Sequence, residues 1–435
     1  MINLVRKCDL AKDFATDNEL RGTVRRLAGC PLGQRALREQ ACGYNHNKFN
    51  MLLEPRLDNI VYPITQKATD WMHCFFVHGV WNTVLYLVLM ALVASGVAAA
   101  AAQDLHDFVL LWTLPGRLGG ERAGRSLAEP FSKARWTAAK KAKYIKCQAS
   151  TALSLCAIVC YWLLTVFHRA GVCCIEIDCY VHVCDIIDLI QSIPHGLVTA
   201  DDIDAAVDKL LSKALEAHWH RFIGPKWHWM VHFGDQLRRF AHKIRALLSC
   251  WTHERKHKVV KRFGELHRST CSMEEGILAD VTLQHLYDME SVDKFDKSPR
   301  LLKPMTACST LVAHRLRAIA GIPDGMPIYA ARRARCNEFE VCHVRDVVLY
   351  WGHAGGLVFG QVWFFFQYGM HPAMALIACW PTVSREPSYG SATVQMDEID
   401  IITTPVSDIV RALTYKRRKD GKANVLVPSI YRAQI

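Results

Sequence analysis

The chain has 435 residues, 51% of them hydrophobic, with 53 Lys and Arg against 41 Asp and Glu and a formal net charge of +12. That length leaves room for two or three domains with sizeable cores, and the apolar share excludes general disorder. The positive excess favours an anionic partner, either nucleic acid or an anionic membrane surface, without choosing between them.

The chain carries 17 Cys, an odd number, and its first residues lack the apolar stretch of a signal peptide. Reduced thiols in the cytosol or nucleus are therefore expected rather than a disulfide framework. Residues 1–68 read as partly helical, with turns near Pro31 and at 42–47. From Trp71 to Gln103 there is no Asp, Glu, Lys or Arg, and 70–112 reads as helical. Within it, residues 81–102 are long enough to span a bilayer, which takes about 20 apolar residues. Residues 115–146 form a Gly-, Arg- and Lys-rich connection, and a second uncharged stretch runs over 147–167. Two readings fit these stretches, transmembrane helices or buried helices of a soluble core. Lys140, Lys141, Lys143 and Lys146 on one side of the second stretch and Arg169 on the other leave its orientation undefined.

Residues 173–184 begin with strand-like alternation and pass into a helical pattern at Asp185. Thr199 and Asp202 form a capping-box pattern opening an amphipathic helix, with Ile203, Val207, Leu210, Leu211, Ala214 and Leu215 on one face. Residues 226–291 read as largely helical. Pro299 and Pro304 break the pattern, and a short helix follows over 311–319. From about Pro323 the character changes to short β-rich runs at 347–350, 360–366, 374–380 and 399–404, separated by Gly, Pro and polar turns. The fold class is thus α+β, mainly helical and then a small barrel or sandwich. The expected division is 1–114, 115–198, 199–300 and a β domain over 323–435.

Three blocks carry a resemblance. Asp70-Trp-Met-His73, approached through residues 43–53, resembles the Asp-x-Met-His signature of transposases of the CACTA kind. Lys226, His228, His232 and Leu237 reproduce the Lys-x-His-x-x-x-His-x-x-x-x-Leu block of that family, and residues 250–258 resemble the next block, with His253 where a Phe is usual. The resemblance spans roughly residues 40–290 and implies an RNase H-like nuclease core with a helical insertion. Such cores gather three carboxylates round two Mg²⁺ or Mn²⁺ ions about 3.5–4 Å apart. By resemblance Asp70 is the second carboxylate and Glu254 the third, with His73, His228 and His232 as supporting or metal candidates. Asp9, Asp13 and Asp17 precede the signature, but none sits in an apolar strand-like run. The first catalytic Asp is therefore expected to be missing with the N-terminal part of the domain, and activity as a nuclease or strand transferase is in doubt. Arg255, Lys256, Lys258, Lys261 and Arg262 would meet the DNA backbone beside Glu254. The implied partners are duplex DNA and further copies of the chain, in the nucleus.

Each of these residues also has a plainer reading. Asp70 fits a helix N-cap before an apolar run. Glu254 fits a surface ion pair with Lys258, and His228 and His232 fit core or phosphate-facing histidines beside Trp227 and Trp229. Zinc ligation through Cys250, His253 and His257, extended by His267 and Cys271, is an alternative chemistry. So is a thiolate set of Cys173, Cys174, Cys179 and Cys184, against which stand ordinary buried thiols. The basic run 415–422 reads as a nuclear import signal or a phosphate patch, and the β domain as a peptide-binding module.

Overall fold

The computed structural model describes residues 16–42, 46–48, 50–63, 69–244, 246–267, 272–290, 296–397, 400–428 and 431–432, with residues 42, 241–244 and 251–258 described by their backbone alone. Asp9, Asp13 and Cys271 lie outside the described residues. The architecture is α+β, with helices up to Glu290 and antiparallel sheets from Arg300 onward.

The long apolar run is not one rod. A Trp71–Phe76 helix turns at His78 and Gly79 into a Val80–Ala94 helix, and an Ala101–Val109 helix follows. In Val80–Ala94 the buried residues Trp81, Val84, Tyr86, Leu87, Val88 and Leu89 point to every side, so the helix runs through the middle of the core. The Trp71–Phe76, Ala101–Val109 and Cys174–Ser192 helices pack against it, and the Ala149–Trp162 and Ala200–Glu216 helices join the same core through Cys174–Ser192. The stretches Trp71–Ala94 and Ala149–Ala170 are long and apolar enough to cross a membrane, but protein buries 67% of the most apolar part of the first and 50% of that of the second. The apolar face of the first is thus largely satisfied without lipid.

Residues 173–184 depart from the expected strand. They belong to the Cys174–Ser192 helix, whose buried Ile177, Tyr180, Val183, Cys184, Ile187 and Ile190 recur at helical spacing. The alternating β-branched residues supplied the strand signal, and burial on a 3.6-residue stripe overrides it. The capping box forms as read, with Thr199 Oγ1 accepting the Asp202 N–H at 3.2 Å.

The sheet half begins at Arg300 rather than Pro323. Its first strands are β1 (Arg300–Leu301), β2 (Met305–Ala307), β3 (Ile328–Ala331), β4 (Arg333–Arg335), β5 (Val341–His343), β6 (Val347–Trp351) and β7 (Leu357–Tyr368). Then come β8 (Met374–Trp380), β9 (Thr382–Glu386), β10 (Ser391–Gln395), β11 (Asp400–Pro405), β12 (Ile409–Leu413), β13 (Tyr415–Arg417) and β14 (Lys422–Leu426). The long β7 organises the main sheet. One edge pairs with β8, and the other pairs first with β6 and then with β3. A register shift between Val362 and Phe364 lets Val362 and Phe365 enter the same core, which the β1-β4-β5 sheet closes through Leu301, Ala334 and Cys342. The β13-β14-β10-β9 sheet covers Val347, Leu349 and Phe359, and the Thr310–Ala320 helix covers Phe366 and Leu376. Helices followed by these antiparallel sheets agree with the expected α+β class.

The two halves meet along 113–118. Thr113 and Tyr415 exchange backbone hydrogen bonds of 2.8 and 3.0 Å. Asp346, buried, accepts the N–H groups of Gly116 at 2.6 Å and His343 at 2.7 Å. Arg117 pairs with buried Glu340 at 2.9 Å. Burial pushes both carboxyls above the usual range, and those N–H groups and Arg117 partly offset it. Asp346→Ala leaves two N–H groups without their acceptor, at about 1–3 kcal/mol each. Urea denaturation is expected to show a loss of about 3 kcal/mol, with protease cutting near residue 116 appearing first. An unchanged midpoint would mean the junction is held elsewhere.

Candidate functional site

Asp70 precedes the Trp71–Phe76 helix with extended backbone (φ −77°, ψ 111°), and its Oδ1 accepts the Met72 N–H at 3.0 Å. It is therefore the N-cap that its position before an apolar run suggests. The same oxygen accepts the backbone N–H of Cys250 at 3.1 Å, and the other oxygen meets His73 Nδ1. The Trp71 N–H donates to the Leu248 carbonyl at 3.3 Å, pinning the two segments together. Cys250 is in turn the N-cap of the Trp251–Leu266 helix, with no side-chain cap of its own. Asp70 thus supplies an anionic acceptor to that helix start from 180 residues away, where unpaired N–H groups and the helix dipole favour negative charge.

Glu254 lies four residues beyond Cys250, so its backbone is about 6 Å further along the axis on the same side of the helix. Its side chain, with those of His253, Arg255, Lys256, His257 and Lys258, lies outside the described residues. Lys261 and Arg262 on the next turn are exposed, and the Arg262 guanidinium sits 4.8 Å from the Phe263 ring centre.

The middle block docks on the first. Lys226 follows Pro225 at the start of the Pro225–Val231 helix, and its ammonium donates to the carbonyls of His73, at 3.0 Å, and Val77. These carbonyls close the C-terminal end of the Trp71–Phe76 helix, where a cation is favoured. The Cys74 thiol returns a hydrogen bond to the Lys226 carbonyl at 3.0 Å. Burial lowers the Lys226 ammonium and raises the Cys74 thiol. Gln236 Oε1 accepts the Thr69 N–H at 3.0 Å. His228 and His232 share a face as their spacing suggests, half-buried with Nε2 atoms 3.1 Å apart.

Among the described residues, one group of metal-ligand donors forms. An Asp70 oxygen, His73 Nδ1 and Cys250 Sγ all lie within 4.8 Å of one another. Asp70 is 16% and His73 36% exposed, so the group is reachable from solvent. Sequence reasoning set Cys250 with His253 and His257, whose side chains lie outside the described residues; among the described residues Cys250 meets Asp70 and His73. His267 instead pairs with Asp280 at 2.8 Å. The thiols of Cys173, Cys174, Cys179 and Cys184 do not gather, because the helix fans them to different sides. Cys184 instead contacts Cys156 and Cys160 across the helix interface, where burial keeps it protonated. These three thiols line a cleft of about 770 Å³ between the two halves, which sequence reasoning missed.

The basic run 415–422 is built into β13, a turn and β14. Lys416 lies 4.7 Å from the Phe108 ring centre and 5.9 Å from that of Trp112, and Arg418 pairs with Asp420 at 2.9 Å. Tyr415 and Lys416 thus belong to the junction with the helical half, while Arg417, Arg418 and Lys419 are exposed. No known protein family, curated protein or solved structure matches this chain.

Proposed function

We propose that this chain is a duplex-DNA-binding protein derived from a transposase of the CACTA kind, acting in the nucleus. One observation carries the reading. The three blocks that resemble the transposase signatures lie up to 180 residues apart, yet they close on one another through the Asp70–Cys250 and Lys226–His73 hydrogen bonds. Blocks that share one site converge in this way, which supports the reading. The basic strip belongs to the helix that Asp70 caps, so phosphates meeting Lys261 and Arg262 would run past Glu254. RNase H-like ancestry is part of the proposal; among the described residues no strand precedes Arg300. The donors described round Asp70 include a ring nitrogen and a thiol, which do not make the all-oxygen set that Mg²⁺ takes. The reading is accordingly one of binding.

The test is fluorescence anisotropy of the purified chain on duplex DNA across a salt series. Wild type is expected to bind with a steep negative slope of log affinity against log salt. Lys261→Ala/Arg262→Ala should weaken binding and flatten that slope by roughly two, close to one per phosphate contact. Glu254→Gln should leave the slope unchanged. Absence of binding at low salt overturns the proposal. Retention in a carbonate-washed membrane pellet would favour instead a protein anchored by the two apolar segments.

A further inference from the structure

We infer that Asp70, His73 and Cys250 form a zinc site. The resemblance implies a pair of hard ions held by carboxylates, and the donors actually assembled are of another kind. One carboxylate oxygen, one imidazole nitrogen and one thiol lie within 4.8 Å of one another. Sulfur and imidazole ligands select zinc and its borderline neighbours, whereas Mg²⁺ and Ca²⁺ take oxygen. Ligand atoms on a tetrahedral zinc sit about 3.5 Å apart, so small side-chain rotations complete the geometry.

The backbone holds the donors in place before any metal arrives. Asp70 and His73 are three residues apart, and Asp70 caps the helix on which His73 sits. Cys250 is carried to them by its own N–H on Asp70 Oδ1 and by the Trp71 N–H on the Leu248 carbonyl. On binding, the Cys250 thiol releases its proton to solvent and the sulfur ligates as thiolate. The proton that His73 Nδ1 donates to Asp70 in the metal-free chain moves to Nε2 through solvent, so the ring ligates through Nδ1 as neutral imidazole with its proton on Nε2. Among the described residues three ligands are supplied, and the fourth position is open to water. The bound ion ties the first block to the start of the helix carrying Glu254, so the site stabilises the same junction that the proposed function uses. The inference rests on that geometry and not on DNA.

The experiment is titration of the metal-free chain with Co²⁺, read by absorbance. One tetrahedral Co²⁺ per chain is expected, with a thiolate-to-cobalt charge-transfer band. Zn²⁺ should displace it and a large excess of Mg²⁺ should not. Cys250→Ser should abolish the band, and His73→Gln should weaken binding by more than the roughly 10–100-fold that loss of an outer-shell partner costs. Asp70→Asn keeps a capping acceptor while removing the charge, and should weaken Co²⁺ binding strongly, with only the small fall in melting temperature that loss of the charge at the helix start brings. Absence of a charge-transfer band, its survival in Cys250→Ser, or displacement by Mg²⁺ each overturns the assignment. A zinc-binding chain that ignores DNA would overturn the proposed function and leave the zinc site standing; a chain that binds DNA without cobalt would do the reverse.

Discussion

Trp81→Ala is expected to lower the free energy of unfolding by about 3–5 kcal/mol, the range for deleting a large aromatic from a core that cannot collapse round the gap. Trp81 is 0% exposed. Its ring meets Phe76 edge-on at 6.1 Å and lies 6.4 Å from Tyr180. Its indole N–H donates to the Tyr180 hydroxyl at 2.9 Å, and that hydroxyl donates to the Cys156 carbonyl at 3.4 Å. The Trp81–Tyr180 pair thus links the Val80–Ala94, Cys174–Ser192 and Ala149–Trp162 helices. Trp81→Phe keeps most of the volume and loses the donor, so about 1–2 kcal/mol is expected. Val166→Ala, at a site 46% exposed in the second apolar segment, should change stability by less than about 0.5 kcal/mol. Chemical denaturation of the three variants measures the order directly. Equal effects of Trp81→Ala and Val166→Ala would contradict a packed protein core and fit helices surrounded by lipid.

That comparison bears on what the sequence could and could not say. An uncharged run of this length satisfies a bilayer and a protein interior equally, because both present apolar surroundings to the helix. Local signals fared better. The Thr199–Asp202 box, the 374–380 strand and the helix near residue 311 all rest on capping, alternation or periodicity within a few residues, and they form where they were read. β1 and β2 are two and three residues long, too short for alternation to register, so the sheet half looked as though it began later. The Asp70–His73–Cys250 group was legible only in parts. Asp70 and His73 share a motif, but nothing in the spacing pairs them with Cys250, 180 residues on. That partnership is set by the Trp71–Leu248 bond between backbones and by the Cys250 backbone N–H on the Asp70 carboxylate, and at position 250 any residue but proline supplies that donor. Lys226 is a similar case. Its block stood out by pattern, while its role as the cation closing the Trp71–Phe76 helix comes from tertiary docking.

Gly79→Ala is expected to disturb the site without touching any of its side chains. A methyl group at residue 79 would lie 2.1 Å from the Cys74 carbonyl oxygen and 2.5 Å from the Phe75 carbonyl carbon. Both are backbone atoms of the Trp71–Phe76 helix, so no side chain can rotate away. The other side of the turn is equally fixed. The Gly79 N–H donates to Asn82 Oδ1 at 3.0 Å, and buried Asn82 donates to the Ile145 carbonyl at 2.8 Å and accepts the Ile145 N–H at 3.0 Å. Relief therefore comes only from moving the short helix away from the core helix. Overpacking at an unyielding position costs about 3 kcal/mol or more. The displaced helix carries Asp70 and His73 at one end and the carbonyls capped by Lys226 at the other. Gly79→Ala should accordingly lower the melting temperature and weaken Co²⁺ binding together, whereas Gly33→Ala, where an added methyl meets nothing within 4 Å, should leave both unchanged. A Gly79→Ala chain that melts and binds cobalt like wild type would mean that the close approach of the two helices does not position the site.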